Sequence, residues 1–181
     1  MAYVGSEPTT GPAAGAKLPM AAVKLLIAGG FGVGKTTMVA SISEIAPLRT
    51  EELITEISRG VDDLTGVESK TTTTVAMDFG RITIDPGLVL YLFGTPGQDR
   101  FWFMWDELSD GAIGAVVLLD TARMENSFSA VDFFERRGIP FVVAVNHFDG
   151  HPLYTAEEVL SALDLSGVPV IPCDARSGQS C

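Results

Sequence analysis

From Val23 to Ala28 the chain runs Val-Lys-Leu-Leu-Ile-Ala and ends in glycine. A short, nearly continuous apolar run of this kind predicts a strand covered on both faces. Beyond Gly29-Gly30-Phe31-Gly32-Val33-Gly34, the apolar positions Met38, Val39, Ile42 and Ile45 recur at helical spacing. A helix is therefore expected from Lys35 to about Ile45, stopped by Pro47. From Leu48 to Lys70 the periodicity lapses among acidic residues such as Glu51, Glu52, Asp62 and Asp63. This predicts a long connection, part of it able to form a short helix, of the length that is usually functional or mobile. Two strand-like runs, about Thr72 to Ile84 and Leu88 to Phe93, flank the turn residues Asp85-Pro86-Gly87. They read as an antiparallel hairpin.

After Gly94 a loop leads into the aromatic segment Phe101-Trp102-Phe103-Met104-Trp105, and then strands and helices alternate. The pattern predicts a strand from Ala112 to Leu119, a helix from about Met124 to Arg137 and a strand from Pro140 to Val145. A helix from about Ala156 to Ala162 and a strand from Val168 to Ile171 follow. Thr155 and Glu158 have the spacing of a capping box for the later helix. The alternation indicates an α/β fold with a mostly parallel sheet and one antiparallel edge hairpin.

The 181 residues suit one domain, read as residues 22–181 behind a leader at 1–21 rich in Gly, Pro, Ala and Thr. Twelve Lys and Arg against 23 Asp and Glu give a net charge of −11. That balance argues against nucleic acid and anionic lipid as sequence-independent partners. The cysteines Cys173 and Cys181 do not form a secreted disulfide framework, so a reducing cytoplasm is expected. No apolar stretch approaches the roughly 20 residues of a membrane-spanning helix, and the N-terminus lacks signal-peptide form.

Gly29-Gly30-Phe31-Gly32-Val33-Gly34-Lys35-Thr36 fits G-x-x-x-x-G-K-[ST] between a predicted strand and a predicted helix. Glycines let successive backbone N–H groups turn inward, and the helix N-terminus adds positive potential for phosphates. Lys35 is expected at the β- and γ-phosphates, Thr36 on Mg²⁺, and Thr37 beside them. The motif does not choose between ATP and GTP.

Later segments resemble the Ras-like small GTPases in order and spacing. Gly94-Thr95-Pro96-Gly97-Gln98 resembles switch II, which implies that the Gly97 N–H senses the γ-phosphate and that Gln98 orients the attacking water. Asn146-His147-Phe148-Asp149 resembles the N-K-x-D guanine motif, with Asp149 pairing two donors that adenine lacks. Cys173-Asp174-Ala175-Arg176 resembles the S-A-K loop, so Asp174, Ala175 and Arg176 are implied at the base. Thr74, in Thr74-Val75-Ala76-Met77-Asp78-Phe79, resembles the switch I threonine that closes over Mg²⁺ and the γ-phosphate. Lys35, Thr74 and Gln98 are thus the implied catalytic set, and Thr36 and Thr74 the implied metal ligands. Within the superfamily the pattern looks nearest to prokaryotic members of the actinobacterial conservon and gliding-motility polarity types. That resemblance implies a bacterial, cytoplasmic signalling GTPase with GTP, GDP and Mg²⁺. It also implies a roadblock-type regulatory partner and a sensor-kinase-like complex, with peripheral membrane recruitment by partners left open.

Several positions depart from the family pattern. Gly94 replaces the aspartate that begins switch II, and Asp78 and Asp120 are the candidates to substitute for it. Phe31 stands where several relatives have glycine, which implies slow turnover without a partner, and His147 replaces the lysine over the base. The sequence ends at Cys181, where the family fold continues into its last helix, so the resemblance implies either a truncated chain or a sheet covered otherwise; a missing helix would expose an apolar face. The aromatic run after switch II is open to two readings, interface anchors or core. The leading function is a GTP-hydrolysing switch; a GTP-binding interaction module with negligible turnover and a P-loop kinase compete with it.

Overall fold

The computed structural model describes residues 21–55, 72–97 and 101–181, with 48–55 and 72–76 described at the level of the backbone. Seven strands form one sheet: β1 Ala21–Ala28, β2 Leu48–Thr55, β3 Thr72–Asp85, β4 Leu88–Gly94, β5 Ala112–Leu119, β6 Phe141–Asn146 and β7 Val170–Cys173. Their spatial order is β2-β3-β4-β1-β5-β6-β7. β1 pairs in parallel with β4 and β5, and β5-β6 and β6-β7 are also parallel. The hairpin β3-β4 is antiparallel, as its turn chemistry requires.

One expectation is corrected here. The first part of the acidic connection is neither loop nor helix but the edge strand β2, antiparallel to β3 over its whole length. The hairpin therefore lies one place in from the edge. An edge strand is paired on one side only and tolerates charge, so Leu-Arg-Thr-Glu-Glu-Leu-Ile-Thr carries little of the apolar signal of a central strand. The remainder of the connection, residues 56–71, lies outside the described residues.

Helix α1, Lys35–Ile42, packs Met38 and Val39 on one face of the sheet against Ile27, Leu92 and Leu118. The other face carries α2 Phe103–Ser109, α3 Phe128–Arg137 and α4 Ala156–Ala162, whose Trp105, Phe134 and Val159 meet Leu26, Val117 and Val143. Both faces are covered, which is why β1 and β5 read as unbroken apolar runs. The sequence-predicted helix from Met124 begins as a 3₁₀ turn, Met124–Ser127, before α3 proper. The capping box of α4 is present: Thr155 Oγ1 accepts from the Glu158 N–H, and the Glu158 carboxylate accepts from the Thr155 N–H. Among the described residues α1 is the helix on its face. At the far end of that face Leu25, Val116, Val142 and Pro169 help line an open apolar groove of about 740 Å³.

The aromatic run divides between the two readings. Phe101 and Trp105 are buried, whereas Phe103 is exposed. No helix among the described residues is long and apolar enough to cross a membrane.

Candidate nucleotide site

The chain leaves β4 on one side of β1 and re-enters as β5 on the other, so the loops after these strands diverge. A crevice at the carboxyl ends of the strands follows from that reversal. The glycine-rich loop fills it. Gly29, Gly32 and Gly34 have φ of 126°, 77° and 102°, a region that side-chain-bearing residues rarely enter. A side chain at Gly34, the N-cap of α1, would come within 2.6 Å of the Asn146 amide nitrogen. Val33 turns inward to the α1 core and Phe31 points out, 66% exposed.

Lys35, Thr36, Thr37, Asp78, Thr95 and Gly97 line a cavity of about 340 Å³ beside this loop. The Lys35 ammonium is buried and donates to the carbonyls of Gly29 (2.8 Å) and Gly30 (2.6 Å). Burial lowers its pKa to about 8, partly opposed by the charge of Asp78. Gly97 lies directly over it: a Cβ there would be 2.5 Å from Lys35 Nζ and 2.9 Å from the Gly30 oxygen. Only a residue without a side chain lets this loop come so close. Trp105 anchors the same loop by donating its indole N–H to the Pro96 carbonyl at 3.1 Å.

Asp78 and Asp120, the two candidates for the carboxylate absent at Gly94, have different fates. Asp78 is the direct cross-strand partner of Gly94. Its carboxylate lies over that glycine and accepts from Thr36 Oγ1 at 2.5 Å. Asp120 is fully buried but turned elsewhere, accepting from Arg123 Nε (2.9 Å) and the Ala122 N–H (3.0 Å) and bonding His151 Nδ1 (2.8 Å). Burial pushes its pKa up, and these three partners outweigh it and hold it low. Its role is to fix Arg123, whose guanidinium lies beside the phosphate loop at Gly32.

The loops after β6 and β7 meet the phosphate loop through one buried side chain. Asn146 Nδ2 donates to the Val33 carbonyl, and Asn146 Oδ1 accepts from the Ala175 N–H, both at 2.9 Å. Asp149, 81% exposed, stands near His147 Nε2 (3.5 Å) and Arg176 (3.4 Å). Arg176 also grips Asp174 at 2.8 Å, and those hydrogen bonds hold the Asp174 pKa at about 2. The structure thus brings together Gly29 to Thr37, Gly97, Asn146, His147, Asp149, Asp174, Ala175 and Arg176. Thr74 falls within β3, opposite Leu53, and only its backbone is described. Gln98 lies outside the described residues.

Sequence reasoning missed two supports of the phosphate loop. The buried Ser127 hydroxyl accepts from the Gly30 N–H (3.3 Å) and donates to the Leu118 carbonyl (3.1 Å). Asn126 packs so closely on Gly30 that no side chain fits there. Nothing in Met-Glu-Asn-Ser signals this, because it arises where the 3₁₀ turn meets the loop.

An uncharacterized protein of Methanocaldococcus jannaschii is 32% identical to this chain over 137 residues, which cover 75% of the chain and 76% of that protein. In fold the chain is similar to the G domain of the Thermotoga maritima FeoB iron transporter, with TM-score 0.60, 19% identity and coverage of 88% and 92% of the two chains. The FeoB G domain from Methanococcus jannaschii gives TM-score 0.56 at 15% identity, covering 86% of this chain and 88% of that one. These G domains share the P-loop architecture. Residues 27–168 match the family described as conserved hypothetical ATP binding protein, and the chain belongs to that nucleotide-binding P-loop family.

Proposed function

We propose that the chain is a GTP-binding switch that hydrolyses GTP to GDP and phosphate with Mg²⁺. The observation that carries this reading is the Asn146 link, which ties the loop bearing Asp149 to the phosphate loop through Val33. A solvent-facing carboxylate so placed can accept the paired donors of the guanine edge, and adenine offers no such pair. His147 and Arg176 flank that carboxylate and orient it.

The residues beside the phosphate loop fit Mg²⁺. Thr36 and Asp78 present a hydroxyl and a carboxylate oxygen, hard donors suited to an ion that keeps several waters and travels with phosphates. Among the described residues no three His, Cys, Asp or Glu side chains gather into a cage of their own. Thr36 and Thr74 would then be the direct ligands, with Asp78 in place of the carboxylate missing at Gly94. The bound ion would neutralise charge on the phosphates. Lys35, drawn from the Gly29 and Gly30 carbonyls, would meet the β- and γ-oxygens as an ammonium. Gln98 would hold the attacking water, and the loop of Gly97 would take a second position with phosphate between it and Lys35. Partners reading the segments that carry Thr74 and Gly97 would then regulate a slow intrinsic turnover.

The experiment is equilibrium competition among fluorescent GDP, GTP and ATP analogues, for wild type and Asp149→Ala, with and without Mg²⁺. Wild type is expected to prefer guanine, and the variant to lose about a hundredfold or more in guanine affinity with ATP binding unchanged. The family's description favours ATP. ATP binding indifferent to Asp149 would overturn the guanine reading and leave a nucleotide-binding P-loop protein.

A further inference from the structure

Thr95 sits at the end of β4 in the loop that bears Gly97, and its N–H donates to the Ile27 carbonyl at 2.9 Å. The residue is 3% exposed, yet among the described residues its hydroxyl has no hydrogen-bond partner. A buried hydroxyl without a partner lowers stability, because it has given up water and gained nothing in return. Each such group in a folded protein needs a reason. The reason here is position: Thr95 lines the same cavity as Lys35, Thr36 and Asp78.

We infer that the Thr95 hydroxyl is a ligand-binding group, whose partner is an oxygen arriving with the nucleotide. Two sources carry that chemistry, a phosphate oxygen and a water on the metal. The hydroxyl can donate to the first and accept from the second. Asp78 already receives the Thr36 hydroxyl, so Thr95 adds a second protein contact to the oxygen cluster from the opposite strand of the hairpin. This inference rests on nucleotide occupying the cavity, but not on which base the nucleotide carries.

The test compares wild type with Thr95→Val, which keeps the shape and removes the hydroxyl, and Thr95→Ser, which keeps the hydroxyl. Two quantities are read: the thermal midpoint of the ligand-free protein, and the affinity for the nucleoside di- and triphosphate that wild type prefers, in Mg²⁺ and in EDTA. Ligand-free Thr95→Val should unfold at or above the wild-type temperature. It should bind the Mg²⁺ triphosphate about tenfold or more weakly, with Thr95→Ser near wild type. A deficit that vanishes in EDTA assigns the partner as metal-bound water; one that persists in EDTA for the triphosphate alone assigns a terminal phosphate oxygen. Affinity within twofold of wild type, or a ligand-free midpoint that falls in step with affinity, overturns the inference in favour of a packing role. Wild type that binds no nucleotide at all would instead overturn the functional reading on which the inference stands.

Discussion

Asp120 illustrates how a single buried charge supports the site from outside it. Its carboxylate is enclosed, and three partners satisfy it, one of them the guanidinium beside the phosphate loop. Asp120→Asn keeps the shape and removes the charge. Because Arg123 is half exposed and can turn to water, the expected cost at pH 7 is about 1–3 kcal/mol rather than the larger loss of a fully buried pair. The sign of the pH dependence follows from the lowered pKa of Asp120. A carboxylate held lower in the folded state contributes stability above its unfolded pKa of about 3.9 and loses it as pH falls through the folded value. The gap between wild type and Asp120→Asn should therefore narrow below about pH 4, measured by urea unfolding at pH 7 and near pH 3. A constant gap would mean that the carboxylate acts through packing alone. Choosing Asp78 over Asp120 as the carboxylate beside Thr36 was not possible from residue types. Counting back from Pro86-Gly87 would set Phe79 opposite Gly94. A register shift between Thr83 and Asp85 moves Asp78 there instead. One residue of slip exchanges the faces of a strand, and a bulge is a local feature that alternation does not report.

The elements divide according to whether local pattern or tertiary contact specifies them. β5 and α4 were legible to the residue, since an apolar run and a capping box are both written locally. The glycine-rich loop was legible because φ far above zero, as at Gly29 and Gly34, strongly favours glycine. β2 was hidden because what makes it a strand is β3, and the 3₁₀ turn of Met124–Ser127 because what shapes it is Gly30. The glycines allow the local and tertiary demands to be separated experimentally. Gly138 ends α3 at φ 64° with open space around a would-be Cβ, whereas Gly34, the N-cap of α1, has φ 102° with Asn146 in the way. Gly138→Ala should cost about 1 kcal/mol of backbone strain and leave nucleotide affinity unchanged. Gly34→Ala should cost about 2–4 kcal/mol and lower nucleotide affinity more than tenfold, because it strains the backbone and breaks the Asn146 link at once. Chemical denaturation and nucleotide titration of both variants check the contrast. Equal effects would mean that strain alone governs the loop and that Asn146 is a bystander.

At the scale of the whole molecule the site must receive a polyanion into a chain of net charge −11. The local groups favour phosphate: a helix N-terminus and the Lys35 ammonium. These act at contact distance, whereas the excess of 23 acidic over 12 basic residues acts through solvent over a Debye length. That length is about 30 Å at 10 mM salt and about 8 Å at 150 mM. At low salt an approaching nucleotide therefore meets repulsion from the whole surface before it meets the loop. Added salt screens the repulsion while leaving the buried contacts almost untouched. Stopped-flow association of a fluorescent nucleotide should accelerate, by about twofold or more, between 10 and 150 mM salt at fixed Mg²⁺, with the dissociation rate nearly constant. A nucleic-acid-binding surface, which releases counterions on binding, would show the opposite slope. An association rate that falls with salt would mean that the cavity's own positive field, with Lys35 at its centre, outreaches the acidic surface.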